Sequence, residues 1–292
     1  MYSKTEPQPG TPGDQRIAVV GAGVMGVGIA TLALVRGLPV LLVDVDEARL
    51  DDARARIAAE LRMAQLMGRH PHDEATGVLE TATTVGGVAE RTVVIEATTE
   101  DPQIKAKVLA ELSATVRPGT PLVSNTSSIP IDELASFAER PEEVVGTHFM
   151  NPPYLIRTVE VIRGVRTGED TMAALGRSLA ALGQQPIVVK DAPGFVTSRV
   201  LHPMINDAAR IVQEGTASVE AVDTLMENCL GHRTGPLRTA DLIGIDNLVD
   251  SLQVLFERTG DEGCRPCELL LEKVRLGAHG RKSGRGFYEY TN

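Results

Sequence analysis

The chain has 292 residues, 42% hydrophobic and 23% charged, enough for a sizeable core and for two domains. Its net charge of −10 leaves no basic surface to neutralise phosphates, and 3% aromatics with no Trp make no base-stacking platform. A nucleic-acid binder is therefore excluded. Three cysteines, Cys229, Cys264 and Cys267, fit a reducing compartment.

Residues 1–14 are polar and rich in Pro and Gly, without an apolar core for secretion, and read as a disordered leader. "RIAVV" (16–20) is a short β-branched run, and "GAGVMGVGIATLALVRG" follows with helical spacing. "PVLLVDV" is a second strand. Arg36, Gly37 and Pro39 interrupt the apolar stretch around it, which rules out a membrane span. The protein is therefore placed in the cytoplasm. "DEARLDDARARIAAELRMAQLMG" reads as a helix with acids in its first turn. "RTVVIEA" is a strand, "PQIKAKVLAELSATV" a helix with Pro102 near its start, and "PLVSN" a strand. "EVVGTHF", "RTVEVIR" and "QQPIVVK" add strands, with the helix "EDTMAALGRSLAAL" between the last two. This alternation predicts βαβ units and a mostly parallel sheet covered on both faces.

The pattern changes at "KDAPGF" (190–195). "FVTSRVLHPMINDAARIVQEG", "SVEAVDTLMENCL", "LIGIDNLVDSLQVLFERTG" and "CELLLEKVRLG" are all helical in period, and only "GFYEY" at the end reads again as strand. "CRPC" (264–267) has redox or zinc spacing, but no second Cys pair or paired histidines complete a site, so no metal is assigned.

Gly21, Gly23 and Gly26 form G-x-G-x-x-G between a strand and a helix. Gly21 permits the tight turn, Gly23 lets backbone approach a pyrophosphate, and Gly26 lets helix pack on strand. Asp44 ends the second strand, where a carboxylate accepts from an adenosine ribose and repels a 2′-phosphate. NAD is favoured over NADP. His148 closes "EVVGTHF", with Glu160 twelve residues on. A histidine at the end of an apolar run is more often structural than catalytic.

"GAGVMGVGIA", "VVIEATTED", "SNTSSIPI", "GTHFMNPP…VEVI", "DAPGFVTSR", "GPLRTADLIGID" and "GRKSGRGFYEY", in this order, resemble the L-3-hydroxyacyl-CoA dehydrogenases, bacterial 3-hydroxybutyryl-CoA dehydrogenases above all. The resemblance covers residues 15–290. It implies an α/β Rossmann-type domain that binds NAD (15–192), followed by an all-α C-terminal domain (193–292) for dimerisation and substrate. The active site would lie in the cleft between them.

The resemblance also assigns roles. His148 matches the catalytic base, Glu160 its orienting carboxylate, Ser127 a serine that hydrogen-bonds substrate, and Asn151 an asparagine of the same site. Glu100 and Lys105 match positions near the nicotinamide, and Met25 joins the cofactor set within the glycine turn. The residue types suit the chemistry. Oxidising a secondary alcohol needs a base for the hydroxyl proton while hydride leaves the same carbon. His148 is therefore read as catalytic. A plain reading of Ser127 is a helix cap before "IDELASF", a role that Ser128 can fill instead.

Departures from the family concern the substrate. Ser198 stands where an asparagine is usual, Tyr154 replaces a proline, and "HRTGP" puts Arg233 and Thr234 where Pro and Met are usual. "LRMAQLMGRHPH" carries Met63, Leu66 and Met67 with only Arg62 and Arg69 as fixed charges, in a region usually rich in lysine. A pocket holding Arg233 and Thr234 suits a polar acyl group. The thioester carrier therefore stays open between CoA and acyl carrier protein, for example with a glyceryl unit. A non-catalytic NAD-binding relative is the alternative of another class.

Overall fold

The computed structural model describes residues 14–70 and 76–290, so the expected leader lies outside the described residues except for Asp14. The chain divides into two compact units, Met1–Asp191 and Ala192–Asn292.

The first unit contains β1 (Ile17–Val20), α1 (Val24–Val35), β2 (Val40–Val43), α2 (Glu47–Leu66) and β3 (Leu79–Ala82). It continues with β4 (Val93–Glu96), α3 (Pro102–Thr115), β5 (Leu122–Ser124), α4 (Ile131–Ala135) and β6 (Val144–His148). β7 (Thr158–Arg163), α5 (Glu169–Ala181) and β8 (Gln185–Lys190) complete it. One eight-stranded sheet has the order β3-β2-β1-β4-β5-β6-β7-β8. Pairings are parallel except β6 with β7, which are antiparallel.

Composition explains the layers. β1, β2 and β4 are buried at every position, as strands covered on both faces must be. Ten of the twelve residues of α1 are buried, so this helix is packed all round and its stability comes from tertiary burial. At about 1.5–3 kcal/mol for each large apolar side chain, that burial outweighs the weak helix propensity of its β-branched residues. α2 starts where the Asp46 side chain accepts from the Ala48 N–H. α3 starts where Asp101 accepts from the Gln103 and Ile104 N–H groups, with Pro102 in the first turn.

β3 has no counterpart in the sequence reading. "LETA" offers two apolar residues around a glutamate, and an edge strand needs only one partner and one half-covered face.

The second unit is helical: α6 (Thr197–Gln213), α7 (Val219–Leu230), α8 (Pro236–Ile243), α9 (Ile245–Thr259) and α10 (Glu268–Arg275). The expected run "LIGIDNLVDSLQVLFERTG" merges two helices, which Gly244 separates at φ +96°. "GFYEY" forms no strand of the sheet. Arg285 makes isolated bridges to Gly280 and Glu289, and the tail winds onto α8 instead. There the buried Asp241 carboxylate accepts from the Phe287 and Tyr288 N–H groups and from the Tyr290 hydroxyl at 3.0 Å. Burial first, and then the bond to Asp241, pushes the Tyr290 phenol up to about 12. Asp223 of α7 accepts from the Leu237 and Arg238 N–H groups and the Tyr288 hydroxyl.

Cys264 and Cys267 are buried, Cys267 among Ile205, Leu248 and Leu270. Burial pushes both thiols up, away from the reactive thiolate. Asn206 fixes their turn, donating to the Gly263 and Arg265 carbonyls and accepting from the Cys267 N–H. Among the described residues, no helix is long and apolar enough to cross a membrane, and no cluster of His, Cys, Asp or Glu is arranged to hold a metal.

Candidate active site

The neighbouring strands β1 and β4 lie where the strand order reverses, so their connections leave toward opposite faces and open a crevice at the carboxyl edge. The glycine turn occupies this edge. Gly21 has φ +106°, and a Cβ there would come within 2.5 Å of the Ala97 carbonyl oxygen. A Cβ on Gly26 would fall 1.8 Å from the Gly21 carbonyl oxygen, so only glycine lets α1 start this close to β1. A Cβ on Gly23 would meet nothing within 4 Å, which leaves its outer side open to a ligand. Met25 is half-buried and packs against the core. A cleft of about 420 Å³ opens beside Gly23 and Val24, bounded on α2 by Ala48, Arg49, Asp52 and Arg56.

Asp44 is buried at the end of β2. One carboxylate oxygen accepts from the Ala22 N–H at 2.8 Å and the other from the Asp46 N–H at 3.1 Å. The carboxylate thus clamps the glycine turn to β2 and still has lone pairs for a ribose. Cradle, open face and acid together fit a dinucleotide, and the start of α1 favours its anionic pyrophosphate.

The antiparallel register of β6 and β7 sets His148 directly opposite Glu160. His148 Nδ1 lies 2.9 Å from Glu160 Oε2, with both side chains largely buried. A carboxylate only accepts, so Nδ1 carries the proton and Nε2 is the basic nitrogen. Next to β6, the end of β5 leads into the Thr126–Ser128 turn. Asn125 Oδ1 accepts from the Phe149 N–H, tying this turn to the strand that carries His148. Asn151 is exposed at the head of the Asn-Pro-Pro turn.

Neither Ser127 nor Ser128 caps α4. Pro130 holds the cap position without a side-chain bond, because both serines face the Glu100 carboxylate. A single oxygen, Glu100 Oε1, accepts from Thr126 Oγ1 at 2.5 Å, the Ser127 N–H at 2.8 Å and the Ser128 N–H at 3.1 Å. Ser128 Oγ at 3.1 Å and Ser127 Oγ at 3.3 Å also approach it. Five donors compete for about two lone pairs, and the Ser127 hydroxyl makes the longest contact. That hydroxyl is the one most readily given up to another acceptor. Desolvation would raise the Glu100 pKa, but the Lys105 ammonium and the donors of the turn outweigh it and hold the carboxyl below its ordinary range.

Lys105 is fully buried, contrary to the ordinary expectation for a helical lysine. Its ammonium contacts both oxygens of Glu96 at 2.9 and 3.0 Å, the Thr98 carbonyl at 3.4 Å and Glu100 Oε2 at 3.4 Å. Three N–H groups thus face four protein acceptors. The sequence reading passed over Glu96. Its signal was an acid closing an otherwise apolar strand, nine residues before a lysine in the first turn of a helix. Arg49 and Arg56 were passed over as well, since arginines on a helix rich in surface ion pairs look ordinary.

The departures from the family pattern are divided between the two units. Tyr154 is buried in the core of the first unit. Ser198, Arg233 and Thr234 belong to the second unit. Ser198 is buried in the first turn of α6, Thr234 is half-buried before α8, and Arg233 is exposed. An exposed guanidinium is already solvated, so Arg233 does not by itself require a polar acyl group beside it.

Residues 16–192 match the NAD-binding domain of 3-hydroxyacyl-CoA dehydrogenases, and residues 194–290 match the C-terminal domain of the same enzymes. The chain belongs to the 3-hydroxyacyl-CoA dehydrogenase family. A 3-hydroxybutyryl-CoA dehydrogenase of Bradyrhizobium diazoefficiens is 39% identical over 279 residues, spanning 94% of this chain and 95% of the relative. A probable 3-hydroxybutyryl-CoA dehydrogenase of Deinococcus radiodurans is 40% identical over 277 residues, 94% of this chain and all (100%) of the relative. The crystal structure of M. tuberculosis FadB2 superposes with a TM-score of 0.91 at 38% identity, covering 96% of this chain and 100% of that one. This dehydrogenase is thus an NAD-dependent oxidoreductase of the CH–OH group in acyl thioesters, built as an α/β Rossmann-type domain with an all-α domain after it.

Proposed function

We propose that this dehydrogenase interconverts 3-hydroxybutyryl-CoA and acetoacetyl-CoA, with His148 as base. The 2.9 Å contact between His148 Nδ1 and Glu160, beside the serine turn, carries the reading. Bound NAD supplies the acceptor for the hydride that leaves the hydroxyl-bearing carbon. His148 Nε2 takes the hydroxyl proton, and Glu160 holds the tautomer and stabilises the imidazolium that results. Ser127 Oγ turns from Glu100 to donate to the oxygen as it becomes a carbonyl, and Asn151 adds a polar group at the same edge. Gly21, Gly23, Met25 and Gly26 seat the cofactor, Asp44 takes its ribose hydroxyls, and Arg49 and Arg56 offset the pyrophosphate charge. Glu100 and Lys105 serve the nicotinamide end.

A second reading has the acyl group on acyl carrier protein. Met63, Leu66 and Met67 are exposed at the end of α2, 83% for Leu66, where the nucleotide end of CoA would call for cations. Exposed Arg233 suits a carrier phosphate, with Ser198 and Thr234 contributing polar groups from the second unit. We also read the protein as a cytoplasmic homodimer joined through the second unit. Comparing kcat/KM by NADH absorbance for 3-hydroxybutyryl-CoA, longer 3-hydroxyacyl-CoAs and the same acyl groups on carrier protein tests the substrate. A kcat/KM at least about tenfold higher on the carrier, 1.4 kcal/mol of transition-state preference, would reject CoA. Light scattering tests the dimer.

A further inference from the structure

We propose that Gly28 is a positioning residue: its bare Cα seats Pro153 against α1, and that contact sets where the Asn-Pro-Pro turn presents Asn151. This rests on the reading of Asn151 as a polar group beside the substrate oxygen. It gives α1 two tasks, the cofactor at its first turn and a substrate-side turn at its second.

Gly28 is buried two residues beyond Gly26, about 200° round the helix, so the two glycines face different neighbours. A Cβ on Gly26 would meet the backbone of the cofactor turn, whereas a Cβ on Gly28 would lie 2.8 Å from Pro153 Cδ and 3.3 Å from its Cγ. Carbon atoms pack at about 3.5–4.0 Å, so an added methyl group needs about 0.7 Å or more of new space. Pro153 is buried and its ring cannot swing aside, because Cδ is bonded to its own backbone nitrogen. Either α1 or the turn must move. Ten of the twelve residues of α1 are buried and the helix starts hard against β1, so it is held on all sides. The turn has an open end, since Asn151 is exposed.

Within the turn the displacement has one way to go. The Leu155 and Ile156 N–H groups both donate to the Pro152 carbonyl, at 3.0 and 3.3 Å, so residues 152–156 move as a unit. Tyr154 anchors the inner end of that unit in the core. A push on Pro153 therefore tilts the unit about Tyr154 and carries Asn151 outward by a similar distance. The base does not follow. Phe149 is buried and its N–H donates to Asn125 Oδ1 at 3.2 Å, while His148 is held by Glu160 across β6 and β7. The contact at Gly28 thus controls how close Asn151 stands to the reacting oxygen without altering the base.

The test uses the full-length protein with Gly28→Ala, Pro153→Ala and Asn151→Ala, singly and in pairs. Turnover of acetoacetyl-CoA is measured by NADH absorbance, NADH binding by fluorescence titration and folding by thermal unfolding. Asn151→Ala alone should lower kcat about 10²-fold, the order for losing one donor to a developing oxyanion. Gly28→Ala should lower kcat about 10–100-fold with KM within about threefold, as misplacing a transition-state contact by an ångström does. Its NADH affinity should stay within about threefold, because the new methyl group lies a turn beyond Gly23. Pro153→Ala removes Cγ and Cδ and so makes room for that methyl group. It should itself cost about threefold in kcat, and adding Gly28→Ala to it should cost nothing more. In the Asn151→Ala background the Gly28→Ala loss should shrink below about threefold, since coupled residues are non-additive. If Gly28→Ala does not fold, Pro153→Gly opens the same contact from the other side, with a kcat loss of about three- to tenfold that again vanishes beside Asn151→Ala.

Four results overturn the proposal. A tenfold or greater loss of NADH affinity in Gly28→Ala means that the methyl group disturbs the cofactor turn. Failure of Pro153→Ala to relieve Gly28→Ala means that the clash lies elsewhere. Undiminished kcat losses of Gly28→Ala or Pro153→Gly in the Asn151→Ala background mean a general structural role. Normal turnover in Asn151→Ala refutes the substrate role of Asn151 and this proposal with it, and it alone among the four touches the function proposed above, where His148 remains the base.

Discussion

Alanine at Gly23 and alanine at Gly26 should separate cofactor binding from folding within one turn. At Gly26 the new Cβ would sit 1.8 Å from the Gly21 carbonyl oxygen and 2.9 Å from its carbon. Neither partner is a side chain that can swing away, so α1 must lift off β1, and α1 has ten buried residues to disturb. Overpacking of this kind costs about 1–3 kcal/mol, and the rigid backbone puts Gly26→Ala at the upper end. For a protein of this size that is a fall in Tm of roughly 4–12 °C. At Gly23 the backbone is extended (φ −72°, ψ −168°), and the Cβ meets nothing within 4 Å. The weaker capping of alanine and the entropy it removes from the unfolded chain nearly cancel, leaving about 0.5 kcal/mol or less. Gly23→Ala should therefore keep the Tm of the apo-protein within about 2 °C. It should weaken NADH binding about tenfold or more, 1.4 kcal/mol, by placing a methyl group where the pyrophosphate approaches. Differential scanning fluorimetry without cofactor and fluorescence titration with NADH read the two effects. NADH affinity in Gly23→Ala equal to wild type would show that the open side of this turn is not where the cofactor lies.

His148→Gln should lower kcat about 10²–10⁴-fold with NADH affinity near normal, and Glu160→Gln should lower it through loss of the imidazolium partner; near-normal turnover in the first variant rejects the mechanism. Asp44→Ser should narrow the preference for NAD over NADP and also cost about 1–3 kcal/mol, because the buried Ala22 N–H loses its acceptor; unchanged selectivity in paired titrations refutes the ribose role. The Glu100 pKa lies below its ordinary 4.5, so the stability it contributes is present above 4.5 and lost as pH falls through the folded value. Acid denaturation of Glu100→Gln should accordingly fall less steeply below pH 4.5, and identical acid limbs would count against the Glu100 network. Asp241→Ala should lower stability by about 2–5 kcal/mol, since the Phe287 and Tyr288 N–H groups and the Tyr290 hydroxyl lose one acceptor; a Tm within 2 °C of wild type would contradict that account of the tail.

Local signals in this chain were legible wherever the physics is local. Alternating buried strands and capped helices follow from hydrophobic period, from Asp46 and Asp101 at helix starts, and from Pro102. The glycine turn follows from steric needs that span six residues, and a histidine ending a strand with an acid twelve residues on marks a candidate pair. Sequence could not set the register that puts His148 opposite Glu160, because that depends on how β6 meets β7 across a nine-residue connection. Nor could it show that Lys105 is buried. A lysine on a helix is solvated by default, and only the fold reveals that Glu96 reaches it from the neighbouring strand while Ser124 and Thr98 satisfy the remaining lone pairs. Burial was no more legible at Tyr154 and Arg233. Burial is a property of what packs around a residue, so the aromatic that replaces a proline lies in the core while the arginine of "HRTGP" is solvated. What the sequence determined alone was the set of groups able to do the chemistry; which of them touch each other was decided by long-range packing, because charge and hydrogen-bond partners meet only once the sheet has brought distant strands together.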